Sequence, residues 1–319
     1  MSDFLQDPAL LGLLQELDKD RLNIVAGQRK AKIVMIAGGV LLLIVILLGM
    51  TTAFTLVPCV AILVYGFVLK IKMDFPLKLY KDTFKQKVVA TALKDIDPSM
   101  VIEPLNGMSE EEFKASQLFT TSPDRYASED QITGQADKTR FYFSEVKAEY
   151  KDESTDSDGR RQVSWDLIFD GIIFTADFNK NFIGTTVVRP KNVVSTLGSW
   201  ITKALSSFSD KQVVELENAE FSEQFVTYST DQIEARYILT PAMMEKLCEL
   251  NRESRGSISL SFIYSRVYIA FPMDHNYFEP PLKTSILDSD ILEKDILIVR
   301  FLYDVVKELG LNTRIWGKS

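Results

Sequence analysis

The stretch IVMIAGGVLLLIVILLGMTTAFTLVPCVAILVYGFVL, residues 33–69, contains no charged side chain. As one helix it would be about 55 Å long at about 1.5 Å per residue, nearly twice the ~30 Å hydrocarbon core of a bilayer. Two helices fit that core, with the break at residues 49–52 and with Pro58 opening the second pass. The sequence therefore predicts a two-helix transmembrane hairpin over residues 33–71. The alternative is a buried helical hairpin in a soluble core.

Basic side chains flank this apolar stretch on both sides, namely Arg29, Lys30 and Lys32 before it and Lys70, Lys72, Lys78 and Lys81 after it. Lys and Arg are retained on the cytoplasmic side of a membrane. We therefore expect a multi-pass protein of a bacterial inner (cytoplasmic) membrane with both termini in the cytosol. The stretch holds no Asp, Glu, Lys, Arg or His, which argues against a transporter or channel unless many copies assemble.

Charge is distributed unevenly along the chain, whose formal net charge is −8. Residues 1–99 contain 12 Lys/Arg and 9 Asp/Glu, whereas residues 100–319 contain 24 and 35. An acidic domain is a poor nucleic-acid binder, because binding requires the neutralisation of phosphates. With one histidine and two cysteines, the sequence predicts no metal site and no cofactor.

Two helices are predicted on either side of the hairpin. Residues 1–32 form an amphipathic N-terminal helix that begins at Asp7-Pro8, and residues 72–98 form a basic juxtamembrane linker helix after an interruption at Pro76. The N-terminal helix has two interpretations, docking on the protein's own cytosolic domain or self-association. Its apolar stripe consists of Leu10, Leu13, Leu14, Leu17, Ile24 and Val25.

Residues 99–319 are predicted to be a cytosolic domain of the α+β class, with a largely antiparallel sheet and flanking helices. Ser109 and Glu112 have the spacing of a capping box. Thr240-Pro241 opens a later helix, and Ser289 or Asp290 caps the last one. Asp158-Gly159 is typical of a hairpin turn. Strands are expected at 139–150, 163–178, 184–188, 212–216, 223–228, 258–263 and 267–271.

Polar residues beside these strands are the candidates for a site. We expect a possible cleft lined by Asp177, Asn179, Lys180, Asp231, Glu234 and Arg236. These same residues also suit turns and surface ion pairs. Asp274-His275 is interpreted as an ordinary loop, and Cys248 as a buried inert thiol. No nucleophile or phosphate-loop motif accompanies any of these residues, so the catalytic residues are unknown.

Several blocks of sequence resemble the bacterial membrane proteins grouped as domain of unknown function 3137. These blocks are 116–119, 125–134, 143–146, 169–188, 214–247 and 258–271, and the resemblance covers roughly residues 85–309. It implies a domain anchored by a helical hairpin and facing the cytosol, with no established activity or cofactor. It also implies a possible LemA-like membrane protein as a partner.

Two functions follow from these observations. The first is a membrane-anchored cytosolic binding or scaffold module of unknown ligand. Its expected partners are membrane lipid and a second copy of the chain, and no nucleic acid. The alternative is a carboxylate-dependent hydrolase at the membrane surface, which would use Asp170, Asp177, Asp231 and Glu234 for acid–base chemistry.

Overall fold

A computed structural model describes residues 8–50, 52–155, 161–178, 181–191, 212–254, 257–273, 276–287 and 291–309. The chain divides into two compact units. The first contains residues 1–95 and 278–295, and the second contains residues 96–277 and 296–319. Residues 278–295, which the sequence places in the 99–319 domain, thus belong with the N-terminal helices. The predicted boundaries at 32, 71 and 98 stay predictions.

The first unit is built on two long helices, α1 (Pro8–Leu47) and α2 (Ala53–Thr83). Gly49 sits in the turn between them with φ of +70°, a conformation that glycine adopts without strain. Both helices are long and apolar enough to cross a membrane. The break therefore lies where the sequence predicts it.

Buried residues recur along α1 at spacings of four, three, four, three, seven and seven, which fit the 3.5-residue period of a coiled coil. They are Leu10, Leu14, Leu17, Arg21, Ile24, Ala31 and Gly38. At the apolar end the helices approach closely at small residues. A Cβ on Gly66 would lie 3.1 Å from the backbone nitrogen of Met35, and a Cβ on Gly38 would lie 3.0 Å from Ile62. Most of the predicted N-terminal stripe is thus buried within the chain itself.

Two predictions about proline in α2 are wrong. Pro58 does not open the second helix, which begins at Ala53, and Pro76 does not interrupt it. Apolar helices of membrane-spanning length tolerate proline more readily than helices in water do. The helix instead changes to a π-helical turn at Phe84–Val89 and continues as α3 (Ala90–Ile96), so the linker helix and the second apolar helix are continuous.

Residues 278–287, which we call the strap, are bonded to both helices of the first unit. The strap residue Glu279 accepts hydrogen bonds from Lys81 and Lys85 at 2.7 and 2.8 Å. On α1, Asp18 accepts from the hydroxyl of Ser285 at 2.9 Å and from the backbone N–H of Ile286 at 3.1 Å. No periodic pattern marks this segment in the sequence, so its role comes only from the structure.

The second unit is α+β, as predicted, with a nine-stranded sheet in the order β1-β2-β3-β4-β9-β8-β5-β7-β6. Every pair of neighbouring strands is antiparallel. The strands are β1 (Val101–Glu103), β2 (Arg125–Ala136), β3 (Thr139–Thr155), β4 (Arg161–Asp177), β5 (Thr186–Pro190), β6 (Gln212–Val214), β7 (Phe225–Ser229), β8 (Ser259–Ile263) and β9 (Arg266–Pro272).

The described helices of the second unit are short apart from two. They are α4 (Glu110–Ala115), α5 (Ala219–Gln224), α6 (Gln232–Ile238), α7 (Pro241–Glu253) and α8 (Ile291–Glu308), the last of which begins in the first unit. Thr240 caps α7 as predicted, accepting from the N–H of Met243 at 3.3 Å. The predicted turn at Asp158-Gly159 and the caps Ser289 and Asp290 lie outside the described residues.

Four elements were not predicted, namely β1, β2, α5 and α6. The middle of β2 reads Ser-Glu-Asp-Gln, residues 128–131, which lacks the apolar alternation that indicates a strand. Its pairing with β3 overrides that composition, with a register shift between Glu129 and Ile132. The α6 segment was interpreted as polar residues beside a strand, although Asp231 is its N-cap.

The two faces of the sheet are covered differently. Phe141 on one face packs against Tyr303 of α8, and Phe271 packs against Phe301. The other face carries a core cluster that includes Phe113 of α4, Val146 and Phe169. Because α4 has only six residues, the described elements leave part of this second face uncovered.

Candidate functional site

An open groove of about 420 Å³ lies on the α4-bearing face of the sheet. Strands β2, β3, β4 and β9 line it, and all of them belong to the second unit. The strand register fixes which side chains meet there, because residues paired across antiparallel strands point to the same face. Two rows of paired residues therefore form the groove.

The outer row consists of Gln135, Arg140, Asp177 and Arg266, one residue on each of the four strands. Arg140 donates from Nε to the Asp177 carboxylate at 3.2 Å, and its side chain is 79% exposed. An ion pair this exposed contributes little to stability. The Arg140–Asp177 pair in the outer row can therefore separate at a small cost in free energy.

The inner row consists of Thr133, Tyr142, Thr175 and Tyr268. Thr175 is buried, and the hydroxyl oxygens of Thr175 and Tyr142 are both shielded from solvent. The Tyr142 hydroxyl lies beside the Thr175 hydroxyl and the Glu112 carboxylate, and both of these groups shift its pKa. The inner row is therefore a buried polar cluster that is closed to solvent.

Glu112 of α4 organises the inner end of the groove. Ser109 accepts from the N–H of Glu112 at 3.1 Å, which is one half of the predicted capping box. The Glu112 side chain accepts instead from Arg266 at 2.7 Å and from the Tyr268 hydroxyl at 3.3 Å. The second half of the capping box is thus replaced by a link between α4 and β9.

Burial and charge shift the titration of the groove residues. Burial raises the pKa of Tyr142, and the neighbouring Glu112 carboxylate raises it further. Burial likewise raises the pKa of Tyr268. Burial alone would lower the pKa of Arg266, but Tyr268 and Glu112 outweigh it and the net shift is upward. At neutral pH the groove therefore holds neutral phenols and two guanidinium groups that are each paired with a carboxylate, Arg266 with Glu112 and Arg140 with Asp177.

Of the predicted cleft residues, Asp177 lies in this groove. Asp231, Glu234 and Arg236 do not line it. Asp231 caps α6, accepting from the N–H groups of Ile233 and Glu234 at 2.9 and 3.0 Å. Asn179 and Lys180 lie outside the described residues.

Glu234 is buried and has a structural contact with the loop before β5. Its carboxylate accepts from the backbone N–H groups of Ile183 and Gly184 at 3.3 and 2.8 Å. Arg236 is exposed on the same helix. Asp177, Asp231 and Glu234 thus each have a separate partner and do not converge on one cleft.

Asp170, the remaining carboxylate of the hydrolase alternative, lies in a smaller groove of about 190 Å³. It is 3.5 Å from the ammonium of Lys147 on the neighbouring strand. The four carboxylates of that alternative therefore form no facing pair of the kind that splits pKa values for acid–base chemistry. No observation on the described residues favours that alternative.

The sequence interpretation missed Arg140, Tyr142, Thr175 and Arg266. The alternation of β3 places Arg140 and Tyr142 on one face, which is visible in the sequence. The pairing of β4 with β9 joins residues that are nearly a hundred positions apart, and it is not visible in the sequence.

Cys248 is buried as expected, and burial raises the pKa of its thiol to about 11. Asp274 and His275 lie outside the described residues.

Comparison with known proteins bears on the region that contains β4, β9 and most of the second unit. A family model described as "Protein of unknown function (DUF3137)" matches residues 167–311. The resemblance to domain of unknown function 3137 is confirmed. The match includes Thr175, Asp177 and Arg266 of the groove, whereas the resemblance of residues 85–166 stays a prediction. No curated protein matches the chain.

Among solved structures, the chain is similar to the crystal structure of the mycobacterial trehalose monomycolate transport factor A, TtfA. The two share 9% sequence identity with a TM-score of 0.36, over 72% of this chain and 94% of that one. A TM-score of this size says nothing about the function of the present chain.

Proposed function

We propose that the chain is a membrane-anchored binding module, in which the α1–α2 hairpin spans a bilayer and the second unit binds a ligand or partner in the cytosol. The observation that carries the anchor is the exposure of large apolar side chains along the hairpin. Phe54 is 92% exposed and Leu47 is 76% exposed. Their neighbours Ile33, Ile36, Val40, Leu43, Ile46, Val57, Val64 and Phe67 are also exposed.

Such a surface is unfavourable in water, at about 25 cal/mol for each Å² of apolar area, and favourable in lipid. A hairpin in a soluble core would have these side chains buried, whereas only 11% of each apolar window is buried. The exposure therefore supports the membrane interpretation over the soluble one.

The orientation rests on the basic residues at both ends of the hairpin. Arg29 and Lys30 on α1 and Lys70 and Lys72 on α2 lie at the same end of the antiparallel pair. The positive-inside rule places that end in the cytosol, and only the turn around Gly49 reaches the opposite side. A bacterial inner membrane is proposed on the family resemblance.

The binding role rests on the groove, whose outer row offers solvent-exposed charged side chains, among them Arg140, Asp177 and Arg266. Its described residues include no nucleophile with an adjacent base. A LemA-like membrane protein and a second copy of the chain are proposed as partners, the first on the family resemblance alone. Copurification in mild detergent at native expression tests both.

Cysteine labelling tests the anchor and its orientation. Cys59 and Cys248 are replaced by alanine, and single cysteines are introduced as Met50→Cys in the turn and Lys94→Cys in the exposed face of α3. We expect a membrane-impermeant maleimide to label Met50→Cys in intact spheroplasts and to label Lys94→Cys only after permeabilisation.

Labelling of Lys94→Cys in intact spheroplasts would reverse the orientation. Release of the wild-type chain from membranes by alkaline carbonate would exclude the anchor altogether. Circular dichroism of the cysteine-free protein provides the control, because both native cysteines are buried and their replacement could disturb the fold.

A further inference from the structure

The strands β3 and β4 extend beyond the rest of the sheet. Residues 150–155 of β3 pair with residues 161–166 of β4, whereas the pairing of β2 with β3 stops at Arg125, opposite Glu149. We call this two-stranded extension, residues 150–155 and 161–167, the arm. A two-stranded ribbon is only marginally stable in water, and a third strand stabilises it. A further strand beside the arm would therefore stabilise it.

The outer edge of β4 is open along the arm. The strand β9 pairs with β4 only from Gly171 to Asp177 and ends at Pro272. The N–H of Met273 still donates to the carbonyl of Asp170 at 3.1 Å. Beyond that bond, no residue that the structure describes gives a backbone hydrogen bond to this edge of β4. Such an edge is a template for another strand.

The opposite edge of the arm, on β3, is protected. It carries the charged residues Lys151, Asp152 and Glu153, and the Asp124 carboxylate already accepts from the N–H of Lys151 at 2.8 Å. Charged side chains on an edge strand disfavour pairing with another chain. The open edge of β4 is therefore the one suited to association.

The β4 edge carries apolar side chains instead. Val163, Trp165 and Leu167 alternate along the strand, so they lie on one face. Val163 is 47% exposed and Leu167 is 55% exposed. The guanidinium carbon of Arg125 lies 3.4 Å from the ring centroid of Trp165 and holds the indole on that face. An apolar stripe on an open strand edge favours burial against a second strand.

The charge of this edge permits two copies of the chain to approach each other. Residues 100–319 contain 24 Lys/Arg and 35 Asp/Glu, so two such units repel each other in general. Residues 161–167 contain Arg161 and Asp166 as their ionisable groups and have no net charge. The general repulsion is thus absent along this edge.

We propose that the β4 edge of the arm pairs with the same edge of a second copy of the chain, with residues 161–167 of the two copies antiparallel. This inference rests on the partner role proposed above for a second copy and names the surface that it uses. The regular part of the edge ends at Leu167, because the register of β3 with β4 shifts between Ala148 and Glu149. Two identical antiparallel strands that pair along the whole segment have their two-fold axis at its midpoint, Ser164.

This register makes complementary pairs on both faces of the joined ribbon. Val163 lies opposite Trp165 of the second copy, and a β-branched side chain opposite an aromatic one stabilises a sheet. On the other face, the amide of Gln162 lies opposite the carboxylate of Asp166, to which it can donate. Each pair occurs twice because of the symmetry. The two arms become one four-stranded ribbon in the order β3-β4-β4-β3, which is more stable than either arm alone.

Disulfide trapping in membranes tests the register, because the proposed anchor raises the effective concentration of the two copies there. In the full chain with Cys59 and Cys248 replaced by alanine, Ser164→Cys and Gln162→Cys are made separately. Membrane vesicles are oxidised with copper phenanthroline, and the covalent dimer is measured on a non-reducing gel.

The two positions differ in the distance between their copies. At the axis the two Cα atoms lie about 4.5–5.5 Å apart, which a disulfide can span. The two copies of residue 162 are offset by four residues, about 14 Å at about 3.4 Å per residue. We expect Ser164→Cys to form the covalent dimer about tenfold faster than Gln162→Cys. Both side chains are exposed and lie on the same face of β4, so Gln162→Cys is the matched control.

A charge on the paired edge should separate the copies. In the Ser164→Cys chain, we expect Val163→Lys to reduce trapping about fivefold or more, because lysine on an edge strand blocks pairing. Ser154→Lys adds the same charge to an exposed position on the β3 edge and should leave trapping unchanged. Circular dichroism confirms that both variants are folded.

Equal trapping of Ser164→Cys and Gln162→Cys, or trapping that Val163→Lys does not reduce, would overturn the pairing at this edge. If a second copy copurifies in detergent and is not trapped at Ser164, the partner stands but uses another surface. Both results leave the cysteine labelling of the hairpin untouched, so a failure of this inference is distinguishable from a failure of the proposed function.

Discussion

The ammonium of Lys85 lies 2.8 Å from the carboxylate of Glu279, and the Lys85 side chain is only 5% exposed. Lys85 occupies the π-helical turn that continues α2, and Glu279 is the second residue of the strap. A buried ammonium requires a counter-charge, because burial without one is strongly unfavourable. The pair therefore ties the strap to the helices of the first unit.

Removal of this counter-charge should destabilise the first unit. We expect Glu279→Gln to lower the free energy of unfolding by about 2–4 kcal/mol, since it removes the negative charge that the buried Lys85 ammonium contacts at 2.8 Å. Thermal unfolding in mild detergent, followed by circular dichroism, measures the change.

Lys81→Met is the matched control, because Lys81 contacts the same carboxylate but is 40% exposed. Its replacement should lower the free energy of unfolding by less than about 1 kcal/mol. Equal costs for both variants would contradict the role assigned to burial.

Acid should weaken the strap. The hydrogen bond from Arg21 is the main reason that the pKa of Asp18 is lowered from 3.8. Burial would raise the pKa of Glu279 from 4.5, but Lys81 and Lys85 outweigh it and the net shift is downward. Carboxyls with lowered pKa values contribute stability that is fully present above their unfolded values and is lost as the pH falls through their folded values.

The free energy of unfolding should therefore decrease as the pH is lowered below about 4.5. A series of melting temperatures from pH 7 to pH 3 measures this decrease. The profile of Glu279→Gln should be flatter than that of the wild type, because one of the two titrating groups is gone. Parallel profiles would show that Glu279 does not take part in the transition.

The close approach of α1 and α2 depends on glycine. A Cβ on Gly66 would lie 2.7 Å from the side chain of Met35 and 3.1 Å from its backbone nitrogen. We expect Gly66→Ala to lower stability by about 1–2 kcal/mol through this overlap, although alanine favours the helix itself by about 1 kcal/mol. Gly39→Ala, where nothing lies within 4 Å of the added Cβ, should be neutral or stabilising. The same melting experiment compares the two, and a loss at Gly39 alone would reverse the assignment.

Gly171 fixes the centre of the sheet. Its φ is +153°, and an added Cβ would lie 2.2 Å from the carbonyl oxygen of Phe271 on the paired strand β9. Neither backbone can move without loss of the β4–β9 pairing. We expect Gly171→Ala to cost about 3 kcal/mol or more, measured as loss of soluble folded protein or a large fall in melting temperature. Wild-type stability in this variant would mean that the strand can shift at little cost.

Much of the local structure was predictable because its determinants are close in sequence. Ser109 caps α4 and Thr240 caps α7 through bonds to residues three positions ahead. Where the sequence misled, tertiary contacts had overridden the local preference. Pro76 continues a helix that a proline usually ends, and the polar segment at the centre of β2 is held in the sheet by its neighbour β3.

The candidate site was predictable only in part. Asp177 was identified as a polar residue at a strand end, but its partner Arg140 was not, because that pairing depends on the register of β3 with β4. Glu234 was grouped with Asp177 from composition, whereas its carboxylate binds the backbone at Gly184. Composition shows which residues are polar and not which backbone groups they satisfy.

The sequence by itself determined the apolar hairpin, its basic flanks and the α+β class, since these depend on residue patterns within one or two helical turns or one strand. Only the tertiary structure decided the strand order, the strap across Lys85 and Asp18, and the groove at Thr175. Those features join residues far apart in the chain through many weak contacts. Because each such contact is small, no single residue encodes the arrangement, and it becomes fixed only when each unit packs as a whole.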